Sequence, residues 1–523
     1  MSEARLWTNG RIFTGHRYAE ALLVDQGRVV AVGSEEVVRR SAPTGTEVVP
    51  LRGRLVIPGI IDAHLHIHDL ARVREGLNLA DVRGLDALGR TLREWAAGHP
   101  EGPLVGQGLD VTRGFAGRWP LAEDLDRVIS DRPVVLYDVS GHAAVVNACA
   151  LETAGVGERR VEELPGRVGR RGDGQPNGIL SEEALEYLSP LLEGAADPQS
   201  LAQVLESLSS YGLTTVASMA VSSEELGALR ALVTDGRLPL RVRAYIHLLG
   251  VANYRATDLA PIGPPGRFSV VGTKGFTDGA FGPRTAWLSE PYADAPGDSG
   301  LAVESDEALS RALAAGEELG LAPALHAIGD RAVARAARLL APYARREGAP
   351  ARIEHVGLTP PAVLSVLDAV RPALVVQPGF VWSDSWLSSR LGPERSRWAY
   401  AFRTLADRGH LVVGSSDAPY DPPDPWRGLR AAVERRDLFG RSANPDPREA
   451  LAPEEAVRLY GAAAGRALWE ATLGTLEVGA PADLVVLEAR SLAQAIRAGA
   501  SVVRETWVDG VLAGNPVGGG KGQ

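Results

Sequence analysis

Lysine is almost absent from this sequence. Of 55 basic residues only two are lysines, Lys274 and Lys521, and the other 53 are arginines. A GC-rich genome accounts for the arginines but not for one lysine kept in mid-chain. Cysteine is scarcer still: Cys149 stands alone, which excludes an internal disulfide. An excess of positive charge is also missing. The 65 acidic residues leave a net charge of −10, which argues against a nucleic-acid partner because binding phosphates requires cationic surface. No apolar run reaches the roughly 18–20 residues of a membrane helix, so no membrane partner is expected. Met1–Arg5 lacks the apolar stretch of a secretory leader, and the expected location is cytoplasmic.

What is present is a change of pattern along the chain. Residues 5 to about 57 hold short strand-like runs broken by Asn9-Gly10, Gln26-Gly27 and Gly33, as in a β meander. From Leu55 onward, apolar runs alternate with longer Ala/Leu/Arg/Glu-rich stretches, the sign of βα units. Eight runs qualify as barrel strands: Gly59–His66, Thr214–Ser218, Arg241–His247, Val270–Phe276, Ala322–His326, Arg352–His355, Ala373–Gln377 and Leu411–Ser415. Eight is the number that closes a (β/α)8 TIM barrel. The expected class is therefore α/β, with the barrel over 58–467 and an inserted subdomain over about 67–200. Residues 1–57 and 468–515 are expected to share a small β-sandwich.

The chemistry-bearing residues fall at the ends of these runs. In Pro58-Gly59-Ile60-Ile61-Asp62-Ala63-His64-Leu65-His66, two histidines at i and i+2 share one face of a strand. A His-x-His pair alone is a weak signal, more often coincidence or core packing than a metal site. However, His326 and His355 close the fifth and sixth runs, and Asp417 follows the eighth. Four imidazoles and a carboxylate on the C-terminal rim of a barrel make a donor set for a borderline-soft cation. Lys274 ends or nearly ends the fourth run, in Val270-Val271-Gly272-Thr273-Lys274-Gly275-Phe276. A desolvated lysine amine can lose its proton and add CO2 to give an anionic carbamate, which a guanidinium cannot do.

Together these motifs resemble the amidohydrolase superfamily, in the branch (amidohydrolase family 3) that includes N-substituted formamide deformylase. The resemblance spans nearly the whole chain, through Pro58–His66, Gly141-His142 to Asn147, Lys274–Ala286, His326–Asp330 and Gly474–Leu487. It implies that His64, His66, His326, His355 and Asp417 are metal ligands and that Lys274, carboxylated, bridges two divalent ions, with zinc the first expectation. The implied reaction is hydrolysis of a C–N bond in a small amide, N-acyl or N-formyl compound by metal-activated water. Asp417 would be the general acid/base and His142 would assist at the substrate or its oxyanion. The same site could instead open a lactone or ester, and a non-catalytic scaffold relative is the alternative from another class. The expected partner is a small-molecule substrate, in a homo-oligomer of two or more copies.

Other residues keep two readings each. Arg284 and Asn147 are candidates for binding substrate, and Arg284 equally for a structural ion pair. Asp278 has strand parity with Lys274 and either orients a ligand or caps a turn. Trp382, Trp386 and Trp398 could wall an apolar pocket or pack in the core. Asp330 is expected to cap the following helix. His68 continues the His-x-His alternation past the strand, and Glu182 belongs to a family motif whose role the sequence does not supply.

Overall fold

The computed structural model describes residues 4–156, 167–191, 197–264, 266–344 and 350–514; Lys521 lies outside them. Its central sheet has eight strands, arranged in chain order and all parallel: Ile60–Leu65, Leu213–Val221, Arg241–His247, Phe268–Phe276, Ala322–Ala327, Arg352–His355, Ala373–Val376 and Val412–Gly414. Each expected run supplies one strand, with ends shifted by a few residues. The first and eighth strands come together at the mouth. There, Asp417 N–H donates to the His64 carbonyl and His66 N–H to the Ala418 carbonyl, both at 2.8 Å. The fold is thus an α/β barrel. Apolar residues on the strands and surrounding helices, Leu205, Leu229, Leu325 and Leu367 among them, form one buried layer outside the sheet. A smaller cluster containing Ile61, Met219, Tyr245 and Val413 fills a second region.

Two further sheets draw on both ends of the chain. Arg28–Gly33, Ala21–Asp25, Arg5–Thr8 and Glu47–Pro50 form one; Val511–Gly514, Val503–Val508, Leu484–Leu487, Leu55–Pro58, Arg11–Phe13 and Tyr18–Ala19 form the other. Trp7, Val56, Leu476 and Leu484 belong to the core they share. Arg241, opening the third barrel strand, is fastened to this unit by Asp483 at 2.8 and 3.1 Å.

Between the first two barrel strands stands a separate six-stranded sheet: Arg167–Arg170, Pro176–Ser181, Ala143–Val146, Val134–Asp138, Leu104–Leu109 and Leu77–Asn78. It has its own apolar clusters around Leu92, Leu136 and Val146. Among the described residues no helix is long and apolar enough to cross a membrane.

Candidate metal centre

The backbone of the barrel mouth fixes where the first side chains meet. Buried Asp62 accepts from the N–H of His64 (3.2 Å) and of Ser416 (3.0 Å), tying the first strand to the turn after the eighth. Asp417 has φ +62° and His355 φ +71°, left-handed conformations that side-chain-bearing residues rarely adopt and that concentrate at functional sites. The result brings Asp417 Oδ1 to 3.2 Å from His64 Nε2 and 3.4 Å from His66 Nε2. The strand itself ends at Leu65, so His66 sits at the N-cap of the helix Ile67–Glu75.

His355 and His326 complete a cluster of imidazoles tilted against one another. The His355 ring lies 4.9 Å from that of His64 and 4.4 Å from that of His326. One ligand atom from each of His64, His355 and Asp417 falls within 4.8 Å of the others. His355 Nδ1 is bound to Gln377 Oε1 at 2.9 Å, which leaves Nε2 buried with no partner. Asp417 Oδ1 is likewise buried without a properly aligned donor, despite its short contacts. A buried imidazole nitrogen and a buried carboxylate oxygen, both unsatisfied within one cluster, fit a cation held between them. Burial pushes His355 and His326 well below the ordinary histidine range and keeps them in the neutral, ligating form. Lys274 Nζ is 3.5 Å from His64 Nε2 and lies over the Phe276 ring. Its burial lowers the amine to about 8.

Beneath His64 lies a charged network that the sequence pattern did not single out. His64 Nδ1 is 2.6 Å from Glu354 Oε2. Arg352 donates to both oxygens of Glu354 at 2.9 Å, to the Tyr245 hydroxyl at 2.9 Å and to the Ala63 carbonyl at 2.8 Å. His64, Arg352 and Glu354 are completely buried. Burial alone would raise the Glu354 carboxyl, but Arg352 and His64 pull it well below the usual range, so it is ionised. It therefore accepts the hydrogen bond of His64 Nδ1–H and directs Nε2 toward Asp417.

Above the centre opens a cavity of about 560 Å³, with His142, His355 and Asp417 in its lining. His142 reaches it from the inserted sheet, its ring 4.9 Å from that of His326. Glu182 Oε2 holds His142 Nδ1 at 3.0 Å, while Glu182 Oε1 is buried and unpartnered. Burial opposes charge on His142, but the Glu182 carboxylate holds its pKa above the ordinary value.

Several expected substrate contacts have other employment. Asn147 is fully buried in the insertion, where it accepts from Val134 and Ala150 N–H and donates to the Ile129 and Arg132 carbonyls. With every valence engaged by backbone, it shapes the insertion and has nothing left for substrate. Asn147→Ala leaves buried groups unpaired at roughly 1–3 kcal/mol each. The expected result is at least tenfold faster amide hydrogen exchange across 134–150. Exchange at the wild-type rate would contradict this role.

Asp278 is also buried. It accepts the N–H groups of Trp287, Ile328 and Gly329 at 2.8–3.0 Å, so it clamps two loops instead of meeting substrate. Arg284 lines the cavity but is paired with Asp294 at 2.9 and 3.2 Å. Trp382 is a core residue, and Trp386 lines the cavity in its place. His68 enters the helix Ile67–Glu75 and leaves the strand alternation. Asp330 does not cap its own helix, whose N-cap is Gly329, and instead accepts from the Ser289 N–H and hydroxyl.

An eight-stranded parallel barrel with this histidine-rich rim defines a hydrolase of the barrel class. The chain belongs to the amidohydrolase family, whose model matches residues 47–513. YtcJ of Bacillus subtilis is 31% identical over 502 residues, covering 92% of this chain and 94% of that protein. The N-substituted formamide deformylase of Arthrobacter pascens is 26% identical, covering 94% of both. Among solved structures, an uncharacterized metal-dependent hydrolase of Pyrococcus horikoshii superposes with a TM-score of 0.76 at 29% identity, covering 93% of this chain and 98% of that one.

Proposed function

We propose that this hydrolase cleaves the C–N bond of a small amide, N-acyl or N-formyl compound. In this reading His64, His66, His326, His355, Asp417 and Lys274, the last as its carbamate, hold two divalent ions, zinc by the character of the donors. The observation that carries it is the pair of unsatisfied buried atoms, His355 Nε2 and Asp417 Oδ1, within one imidazole cluster. Bound divalent ions supply Lewis acidity, lowering the pKa of water and polarising a carbonyl oxygen.

The chain's own side chains do the rest. Burial would raise the Asp417 carboxyl, but His64 and the hydrogen bond from His66 hold it well below the usual range, so it is ionised and can accept a proton. It takes that proton from the attacking water and returns it to the departing nitrogen, a role worth about 10²–10⁴-fold. His142, held by Glu182, donates to the substrate carbonyl oxygen as negative charge builds there. Phe281 and Trp386 give the cavity apolar wall for the rest of the substrate. The name of the Arthrobacter relative makes N-substituted formamides the first compounds to try.

Elemental analysis of protein purified without chelators tests the centre. About two divalent ions per chain are expected; one per chain removes the bridging lysine, and none removes the reading. A panel of N-formyl, N-acyl, carbamate and lactone compounds tests the bond. Turnover confined to lactones would replace the amide assignment with an ester one.

A further inference from the structure

Tyr420 follows Asp417 by three residues and touches both the metal centre and the inserted sheet. Its backbone N–H donates to the Asp417 carbonyl at 2.9 Å, so the turn after the eighth strand fixes where the side chain starts. The ring meets that of His66 edge-on, with 5.2 Å between centroids and 70° between planes. The hydroxyl donates to Asp69 Oδ2 at 3.0 Å, and the same oxygen stands 3.9 Å from His66 Nδ1. Asp69 lies in the first turn of the helix that His66 caps. The ring also covers Gly141, in the turn between Val134–Asp138 and Ala143–Val146, so closely that a Cβ there would overlap Tyr420 Cε1 and Cζ. Gly141 has φ +71°, a second reason for glycine at this position. His142 comes next in the chain. Its N–H donates to Ser140 Oγ at 3.2 Å, and Ser140 donates to Asp138 at 2.8 and 2.9 Å, so the turn is stiff and carries His142 with Gly141.

We infer that Tyr420 is a positioning residue that couples His66 to the turn carrying His142, so that an ion held by His66 also fixes the donor above it. The roles of His66 and His142 rest on the proposed reaction; the mechanical link between them rests on the contacts of Tyr420. A phenol held at its hydroxyl and packed on a backbone carbon cannot shift without displacing one of the two. Its two ends do different work. His66 lacks the short acceptor on Nδ1 that Glu354 gives His64 and Gln377 gives His355. Asp69 is the carboxylate that faces this nitrogen, and the Tyr420 hydroxyl holds it there, so the hydroxyl acts on the orientation of His66 through Asp69. The ring acts on His142 through Gly141. Coupling of this kind is reciprocal: an ion that steadies the turn is bound more tightly, by the same factor, when the turn is already in place.

Hydrogen exchange of zinc-free and zinc-loaded protein, read by mass spectrometry, tests the coupling without any turnover. Zinc is expected to slow exchange across 139–146 about fivefold or more in the wild type and to leave it unchanged in Tyr420→Leu. Tyr420→Phe keeps the ring and should keep that protection, but it releases Asp69 and should bind zinc about tenfold more weakly in competition with a chelating dye. Added to Asp69→Ala, the same substitution should cost nothing further, because the hydroxyl acts through Asp69. Gly141→Ala should also weaken zinc about tenfold by pushing the ring, although it lies on the inserted sheet. In a Tyr420→Leu background it should not weaken zinc again. The backbone strain of an alanine at 141 is the same in both backgrounds and cancels. Exchange across 139–146 that ignores zinc in the wild type, or responds equally in Tyr420→Leu, overturns the coupling, as do additive losses in either pair. Failure to bind zinc at all overturns it together with the proposed metal centre. Coupling found intact in a protein that hydrolyses no amide would overturn the proposed reaction and leave the role of Tyr420 standing.

Discussion

Lys274→Arg is expected to lose the metal pair and, with it, activity by a factor of about 10³ or more. The estimate follows from several kcal/mol of lost charge stabilisation at roughly 1.4 kcal/mol per tenfold in rate. The substitution keeps the positive charge, on a longer and planar head group, and removes the ability to become a carbamate. This protein uses arginine 53 times where a cation suffices, so retention of one buried lysine isolates that ability. Lys274 is buried, and burial brings its amine from 10.5 to about 8. The sign matters for loading. The uncharged amine that adds CO2 becomes the main form above about pH 8, some two units earlier than for an exposed lysine. At equal dissolved CO2, metal-stripped protein should therefore reload faster at about pH 8.5 than at about pH 6.5. Lys274→Ala leaves room where a small carboxylate can stand in, so added propionate should restore part of the metal and activity. An arginine variant with wild-type metal content would defeat the carbamate assignment, whatever its activity.

The barrel was legible because a parallel strand covered on both faces is written as a short apolar run, and the residue ending it faces the mouth. His64, His326, His355 and Asp417 could be found in this way, since each needs only its own strand to be located. Residues whose role depends on a distant partner were not legible. Asn147 and Asp278 look like mouth residues in sequence, but their partners are backbone N–H groups from segments that only the fold brings near. Arg284 could not be separated from a structural pair until Asp294 was found beside it. Trp382 and Trp386 are four residues apart, yet local register puts one in the core and the other on the cavity.

Arg352-x-Glu354 carried a signal that could have been used. Opposite charges within a four-residue strand buried on both faces are costly unless they serve something, and here the next residue is His355. Seen with Gln377 on His355 Nδ1, the arrangement follows one rule. Two histidines of the cluster have Nδ1 occupied by a fixed acceptor, Glu354 for His64 and Gln377 for His355. Tautomer and ring orientation are thereby set before any ion arrives. The first and sixth strands are locked together by the same carboxylate, and Tyr245 from the third joins through Arg352.

Glu354→Leu should therefore do two separable things. It strands the buried Arg352 guanidinium, which costs about 3–5 kcal/mol of stability. It also frees His64 Nδ1, so the imidazole can turn or change tautomer and metal affinity should drop about 10–100-fold. The double variant Arg352→Met/Glu354→Leu distinguishes the two effects. Removing both charges and leaving apolar side chains of similar volume should recover most of the lost stability, measured as the midpoint of thermal or urea unfolding. The missing partners of Tyr245 and the Ala63 carbonyl leave a smaller deficit. Metal affinity, measured by competition with a chelating dye, should not recover, because His64 still has no acceptor. A double variant that regains both stability and affinity would mean that Glu354 only neutralises Arg352. A variant that regains stability alone identifies Glu354 as the residue that positions His64.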